Sequence, residues 1–173
     1  MEVYSLYSLL CPNLIYNSLH DLEYNHLKSR GIKGIIFDLD NTIIPWDSQE
    51  MSPEIIAWLN TLLAEGFKIC FLSNNMGNRV KSIATIFNAP FVSRAYKPAK
   101  KGFRQAIATM ELSPNQVAVI GDQLFTDILG GNRLGLVTIW VKPLSAKEFI
   151  GTKITRRLEK LAVGLLRTKG LLK

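Results

Sequence analysis

The sequence is poor in the residues that build metal cages and covalent staples: two cysteines and two histidines in 173 positions. Cys11 and Cys70 stand far apart and Cys70 lies inside an apolar run, so neither a disulfide framework nor a zinc cage is expected, and a reducing compartment fits best. His20 and His26 read as surface residues of an N-terminal helix, and no histidine chemistry is expected of them. No apolar stretch approaches the roughly 20 residues needed to cross a bilayer. Low-complexity tracts and internal repeats are also missing, and 47% hydrophobic with 20% charged residues is an ordinary globular composition. The opening "MEVYSLYSLLCPNLIY" carries Glu2 where a secretory signal needs positive charge and lacks the arginines of a transit peptide, so it is expected to be retained. These absences leave a single cytoplasmic domain over 1–173, with an apolar and aromatic segment at about 1–30 and a basic segment at about 145–173.

The net charge of +7 is concentrated in that last segment, where eight basic residues face only Glu148 and Glu159. Ile150, Ile154, Leu158, Leu161 and Leu165 recur there at helical spacing, with Lys153, Arg156, Arg157, Lys160 and Arg167 on the other face. A basic amphipathic helix of this kind suits an anionic membrane surface, on which the protein would sit peripherally. The same pattern also suits a helix that docks its apolar face on the domain and leaves its charges solvated. Nucleic acid is not expected as a partner. Tyr4, Tyr7 and Tyr16 could share the interfacial role or pack as core, and the sequence is silent on oligomeric state.

Between the two ends, strand-like and helix-like patterns alternate. "GIIFDLD", "FKICFLS", "PFVS", "QVAVIGD" and "VTIWV" read as five buried strands. "SPEIIAWLNTLLAEG", with Ser52 as N-cap, Pro53 in the first turn and Gly66 as stop, reads as a helix. So do "NRVKSIATIF", "KKGFRQAIATMEL" and "DILGGNRLG". Five β/α alternations predict a parallel sheet covered by helices on both faces, with ligands bound at the carboxyl ends of the strands. That edge collects Asp38 and Asp40 after the first strand, Ser73 and Asn74 after the second, Lys97 after the third, and Asp122 with Asp127 after the fourth. Converging carboxylates repel one another unless a cation lies between them. Hard oxygen ligands of this kind suit Mg²⁺.

"DLDNT", Ser73, Lys97 with Pro98, and "GDQLFTD" resemble the four motifs of the haloacid dehalogenase-like (HAD) phosphatases, in order. The wider wording, "DLDNTIIPWD", "LSNN", "KPAKKGFRQA" and "GDQLFTDILGGNRLG", resembles the YqeG-type branch of subfamily IIIA, which includes mitochondrial and plastid phosphatidylglycerophosphate phosphatases. The resemblance covers about residues 12 to 160. It implies a HAD-like Rossmannoid three-layer α/β sandwich, capless, with a five-stranded parallel sheet in order 3-2-1-4-5. It further implies that Asp38 is the nucleophile and forms an aspartyl-phosphate, and that Asp40 is general acid and then general base. Ser73 and Lys97 would hold the phosphoryl oxygens, with Asn74 and Thr42 beside them, Thr42 steadying the loop. Mg²⁺ would be held by Asp38, Asp122 and the backbone carbonyl of Asp40, with Asp127 orienting the metal's water shell or Lys97.

The chain has no room for a cap domain. About 25 residues separate Asp40 from the next strand, most of them one helix, and the stretch from Ser93 to Lys97 is shorter still. An open cleft suits a phosphorylated substrate whose bulk stays outside, such as an anionic phospholipid. The resemblance therefore points to dephosphorylation of phosphatidylglycerophosphate to phosphatidylglycerol. A soluble phosphatase for a small metabolite or a nucleic-acid 3′-phosphate, and a non-catalytic binding module on the same fold, remain alternatives.

Overall fold

A computed structural model describes residues 7–48, 50–145 and 150–172, with side chains from 155 onward in the last stretch. Tyr4, Lys147, Lys173 and the side chains of Ile150, Lys153 and Ile154 lie outside the described residues. Six parallel strands form one sheet: β1 (Leu14–Tyr16), β2 (Gly34–Phe37), β3 (Lys68–Leu72), β4 (Phe91–Val92), β5 (Val117–Gly121) and β6 (Val137–Val141), in spatial order β1-β6-β5-β2-β3-β4. The five expected strands keep their expected order, and the correction is the sixth. Leu14–Tyr16 extends the sheet beyond β6, with Leu14 opposite Ile139 and Tyr16 opposite Val141. Three residues are too short to show a period. Their register is fixed from outside by Asn13, whose Oδ1 accepts from Thr138 N at 2.7 Å while its own N–H reaches Thr138 O at 2.9 Å.

Alternate residues of the central strand serve opposite cores. Ile35 and Phe37 join Leu59, Leu62, Ile69 and Phe71 on one face, whereas Ile36 joins Cys70, Leu72, Phe103 and Val119 on the other. The helices are α1 (Tyr24–Ser29), α2 (Pro53–Ala64), α3 (Gly77–Ile86), α4 (Lys100–Thr109), α5 (Leu129–Asn132) and α6 (Ile150–Thr168). In α2, Ser52 caps by accepting from Ile55 N, Pro53 sits in the first turn, and Ile55, Leu59 and Leu62 turn inward. Among the described residues nothing is inserted between β2 and α2 or between β4 and α4 beyond loops, so the strand ends are left uncapped.

"DILGGNRLG", expected as one short helix with glycines at its end, is built differently. Leu124–Ile128 is a π-helical turn leading into α5, with Gly130 and Gly131 inside the helix. A Cβ on Gly130 would come 2.3 Å from the Phe103 ring, and one on Gly131 would come 2.5 Å from Val119. These glycines let the segment after Asp122 lie close to the sheet.

The segments around Tyr7–Leu10 and Leu166–Leu172 meet over the β6 flank. Leu166 and Leu172 pack with Leu124 and Ile128, and Tyr7, Leu10, Trp140, Ala162 and Val163 close around them. The orientation of α6 departs from the docked alternative for the leucine stripe: Leu158, Leu161 and Leu165 are 54, 71 and 43% exposed, while Glu159 is 3% exposed and Leu166 is fully buried. The side of α6 that docks is thus rotated away from the run of leucines, because Arg156 and Glu159 have partners in the body of the protein. None of the described helices is long and apolar enough to cross a membrane.

Candidate active site

Strand β2 ends at Phe37, and Asp38 N still bonds to Ile120 O of β5 at 2.9 Å, which fixes the first aspartate at the sheet edge. The chain then turns through Asn41, whose φ of 62° is left-handed, a conformation that Asn tolerates better than most residues. Thr42 comes back beneath the aspartate, its hydroxyl within 3.0 Å of Asp38 Oδ2 and 3.3 Å of Asp122 Oδ1. Expected beside substrate, Thr42 is buried between two carboxylates.

Lys97 arrives from the segment after β4. Its ammonium contacts the Asp38 carboxylate, lies 2.7 Å from Asp127 Oδ1 in an ion contact without hydrogen-bond geometry, and donates to Leu72 O at 3.1 Å. Asn74 holds the lysine backbone, accepting from Lys97 N at 2.7 Å and donating to Lys97 O at 3.3 Å. Burial opposes the Lys97 charge, but Asp127 and Asp38 outweigh it and raise its pKa above the ordinary value. Burial pushes the Asp127 carboxyl up to about 6 against the pull of Lys97, with the charge of Asp38 adding to the rise. Asp122 is raised by burial and then by Asp38, with Arg156 opposing.

Asp40 faces the cleft and has other partners. Arg79 Nη1 lies 2.5 Å from Asp40 Oδ1, and Asn75 Nδ2 and Ser73 Oγ reach Oδ2 at 2.8 and 3.4 Å. Arg79 also donates to Pro45 O at 2.7 Å and Trp46 O at 3.3 Å, which ties the loop after the aspartates to the start of α3. The cleft is about 490 Å³, lined by Asp38, Asp40, Trp46, Asn74, Arg79, Lys97, Gln123 and Thr126. Trp46, 39% exposed, stands at its lip.

Sequence reasoning passed over Arg79, Arg156 and Glu159. Arg79 follows "SNN" by one helical turn and was visible only as one more cation. Arg156 had been placed on a solvated polar face. Its guanidinium in fact contacts the Asp122 carboxylate, and Nη1 reaches Asp122 O at 2.5 Å and Glu159 Oε2 at 2.8 Å. Glu159 is raised by burial against the pull of Arg156, and its Oε1 accepts from Leu124 N at 2.5 Å and Phe125 N at 3.3 Å. One signal was available: Glu159 is an acid three residues from Arg156 in an otherwise basic tail.

The residues fit a divalent cation on two grounds. Asp38, Asp122 and Asp127 each offer a carboxylate oxygen within 4.8 Å of the others, all three residues buried. Among the described residues the charges also fail to balance: five carboxylates (Asp38, Asp40, Asp122, Asp127, Glu159) meet three cations (Arg79, Lys97, Arg156), which leaves an excess of two negative charges within that set. A buried excess of that size calls for a counter-ion or for protonation.

Among the described residues, four carboxylates and a lysine gather at the carboxyl edge of a parallel sheet with no cap over them, an arrangement suited to phosphoryl transfer. Residues 1–88 match a family profile described as mitochondrial PGP phosphatase, and residues 95–143 one described as HAD-hydrolase-like. The chain is 38% identical over 159 residues to "Probable phosphatase YqeG" of Bacillus subtilis (strain 168), covering 92% of both chains. It is 29% identical to phosphatidylglycerophosphate phosphatase 1, chloroplastic, of Chlamydomonas reinhardtii, covering 90% of this chain and 62% of that one. It is 27% identical to the mitochondrial phosphatidylglycerophosphatase GEP4 of Saccharomyces cerevisiae, covering 78 and 79%. The fold is shared with a HAD-superfamily hydrolase from Ehrlichia chaffeensis, at TM-score 0.53 and 16% identity over 75% of this chain and 97% of that one. The chain belongs to this family of HAD phosphatases, and it is a phosphatase rather than a non-catalytic module on the same fold.

Proposed function

We propose that the protein hydrolyses the terminal phosphomonoester of phosphatidylglycerophosphate. The observation that carries this reading is the Asp38–Asp40 pair at an uncapped sheet edge in a chain related over most of its length to phosphatidylglycerophosphate phosphatases. Asp38, pinned by Lys97 and Thr42, attacks phosphorus. A bond forms from its carboxylate oxygen as the ester P–O bond breaks, giving an aspartyl-phosphate and the glycerol alkoxide. Asp40, in its protonated form, gives its proton to that alkoxide and then takes one from the water that cleaves the intermediate, which releases phosphate and restores Asp38.

Lys97 and Ser73 supply donors to the phosphoryl oxygens, and Asp127 orients Lys97 through their 2.7 Å contact. Mg²⁺ would be held by Asp38, Asp122 and the carbonyl of Asp40. Bound there, it would screen the repulsion between the Asp38 carboxylate and an incoming phosphate. The outward leucines of α6, Leu158, Leu161 and Leu165, lie beside exposed Arg157 and Lys160. We assign this face to the anionic lipid surface that carries the substrate, with the protein peripheral on its cytoplasmic side.

The test is turnover by the purified protein on phosphatidylglycerophosphate in mixed micelles and on a panel of soluble phosphomonoesters, with Mg²⁺ and with excess chelator. Preference for the lipid and silence in chelator are expected. A soluble ester turned over far faster than the lipid would replace the substrate, and undiminished activity after metal removal would replace the role given to the carboxylates.

A further inference from the structure

The contacts of Asp122 divide by atom. Oδ2 and the backbone carbonyl are both taken by one guanidinium, that of Arg156, while Oδ1 is turned toward Thr42 at 3.3 Å and so toward Asp38. Arg156 is itself fixed by Glu159 one helical turn on. The other oxygen of Glu159 bonds to the N–H groups of Leu124 and Phe125, which open the turn that carries Asp127. Trp140 Nε1 adds a bond to Asp122 O at 2.9 Å. Helix α6 therefore holds the acidic loop at two points, through an arginine on the first carboxylate and a glutamate at the root of the second.

Left alone, Asp122 would be driven away from Asp38 and Asp127 by like charge at short range in a dry site. A planar fork bonded to one carboxylate oxygen and to the carbonyl of the same residue fixes the side-chain torsions as well as offsetting the charge.

We propose that Arg156, braced by Glu159, is a positioning residue that aims Asp122 Oδ1 into the divalent-cation site, so that the C-terminal helix is part of the active-site framework. This rests on the cation proposed above and extends it to a residue outside the four motifs. Groups that orient metal-ligating side chains in this way typically govern metal affinity by 10- to 100-fold.

The test measures Mg²⁺ affinity directly, by calorimetry and by the Mg²⁺-dependent rise in melting temperature, in the full chain and in Arg156→Met and Arg156→Lys. Arg156→Met should bind Mg²⁺ about 10- to 100-fold more weakly. Arg156→Lys, which keeps the charge and one bond but not the fork, should fall between it and the wild type. In turnover of p-nitrophenyl phosphate, kcat should fall in the same order with KM little changed, because Lys97 is untouched. Wild-type affinity or tighter binding in a folded Arg156→Met would overturn the proposal and make Arg156 a mere counter-charge competing with the metal. If circular dichroism shows Arg156→Met unfolded, Arg156→Lys decides by the same criterion. A wild type that binds no divalent cation would overturn the metal reading and this inference together.

Discussion

Asp38 and Asp40 are two residues apart, yet they belong to two differently built halves of one cleft. Asp38 lies in a deep half whose charged members come from distant parts of the chain: Lys97 from beyond β4, Asp122 and Asp127 from beyond β5, Arg156 and Glu159 from α6. Asp40 lies in a shallow half built by the loop that follows it and the start of α3, with Arg79 and Asn75 as partners at the mouth. The difference suits the division of labour proposed for the two aspartates. An attacking carboxylate gains from being held in one place, since a fixed near-attack geometry removes entropy from the barrier. A proton carrier must meet first the leaving alkoxide and then the lytic water, and so gains from partners that can move aside.

Substitutions can break this comparison. Asp38→Asn should lower turnover of any phosphomonoester by at least about 10⁴-fold while the protein stays folded, since it removes a charge from a crowded negative cluster. Asp40→Asn should cost about 10²- to 10⁴-fold, least for esters with acidic leaving groups that need no proton. Both are measured by steady-state kinetics with melting curves as the control. Ordinary activity in Asp38→Asn would remove the nucleophile assignment, and an equal loss with every leaving group would erase the distinction between the halves.

Helix α6 sharpens the comparison because its two faces are proposed to serve different ends. Replacing Leu158 and Leu161 by serine takes apolar area from the outer face alone, and burying a leucine is worth roughly 1.5–3 kcal/mol. The pair should weaken binding to anionic vesicles by at least about tenfold in flotation assays, yet leave the rate on a small soluble ester unchanged. Equal loss on both substrates would mean that the outer face supports the fold. Arg79→Gln, in the shallow half, should be milder, with kcat/KM lowered about tenfold, on the scale of one charged hydrogen bond. A loss as deep as that of Asp38→Asn would mean that both halves are equally rigid.

The deep half was legible wherever its residues sit at strand ends. Asp38 and Asp122 directly follow apolar runs, and a parallel sheet aligns strand ends by construction, so periodicity placed these two together, whereas Lys97 and Asp127, each a few residues further on, were singled out with the help of the motif resemblance. Arg156 and Glu159 were not legible, because a helix added after the last strand can present any face and only its tertiary partners decide which. The leucine stripe named one face, but two ion-paired side chains selected another, and Leu161 at 71% exposed is the result. The strand at Leu14–Tyr16 was missed for a related reason. Its pairing depends on Asn13 finding Thr138, 125 positions away, and three residues carry no pattern of their own.

The smallest expected effect concerns the charge left over in the deep half. Asp127 is raised from its ordinary 3.8 to about 6, chiefly by burial. Between those two values the folded protein binds a proton there that the unfolded chain does not, so stability falls as pH rises through about 6 and is recovered on acidification. Asp122 and Glu159 are raised in the same direction. Taking the metal-free protein from pH 7 to pH 5 should therefore stabilise it by roughly 1 kcal/mol through Asp127 alone, a rise in melting temperature of about 2–4 °C for a chain of this size. Saturating Mg²⁺ should remove that rise, since a bound cation favours the ionised carboxylates. Asp127→Asn should flatten the metal-free profile as well. Thermal melts across this pH window, with Mg²⁺ and with chelator, measure all three. A metal-free protein that loses stability on the way to pH 5 would mean that the deep carboxylates are already balanced, and the excess negative charge counted among the described residues would no longer favour a divalent cation.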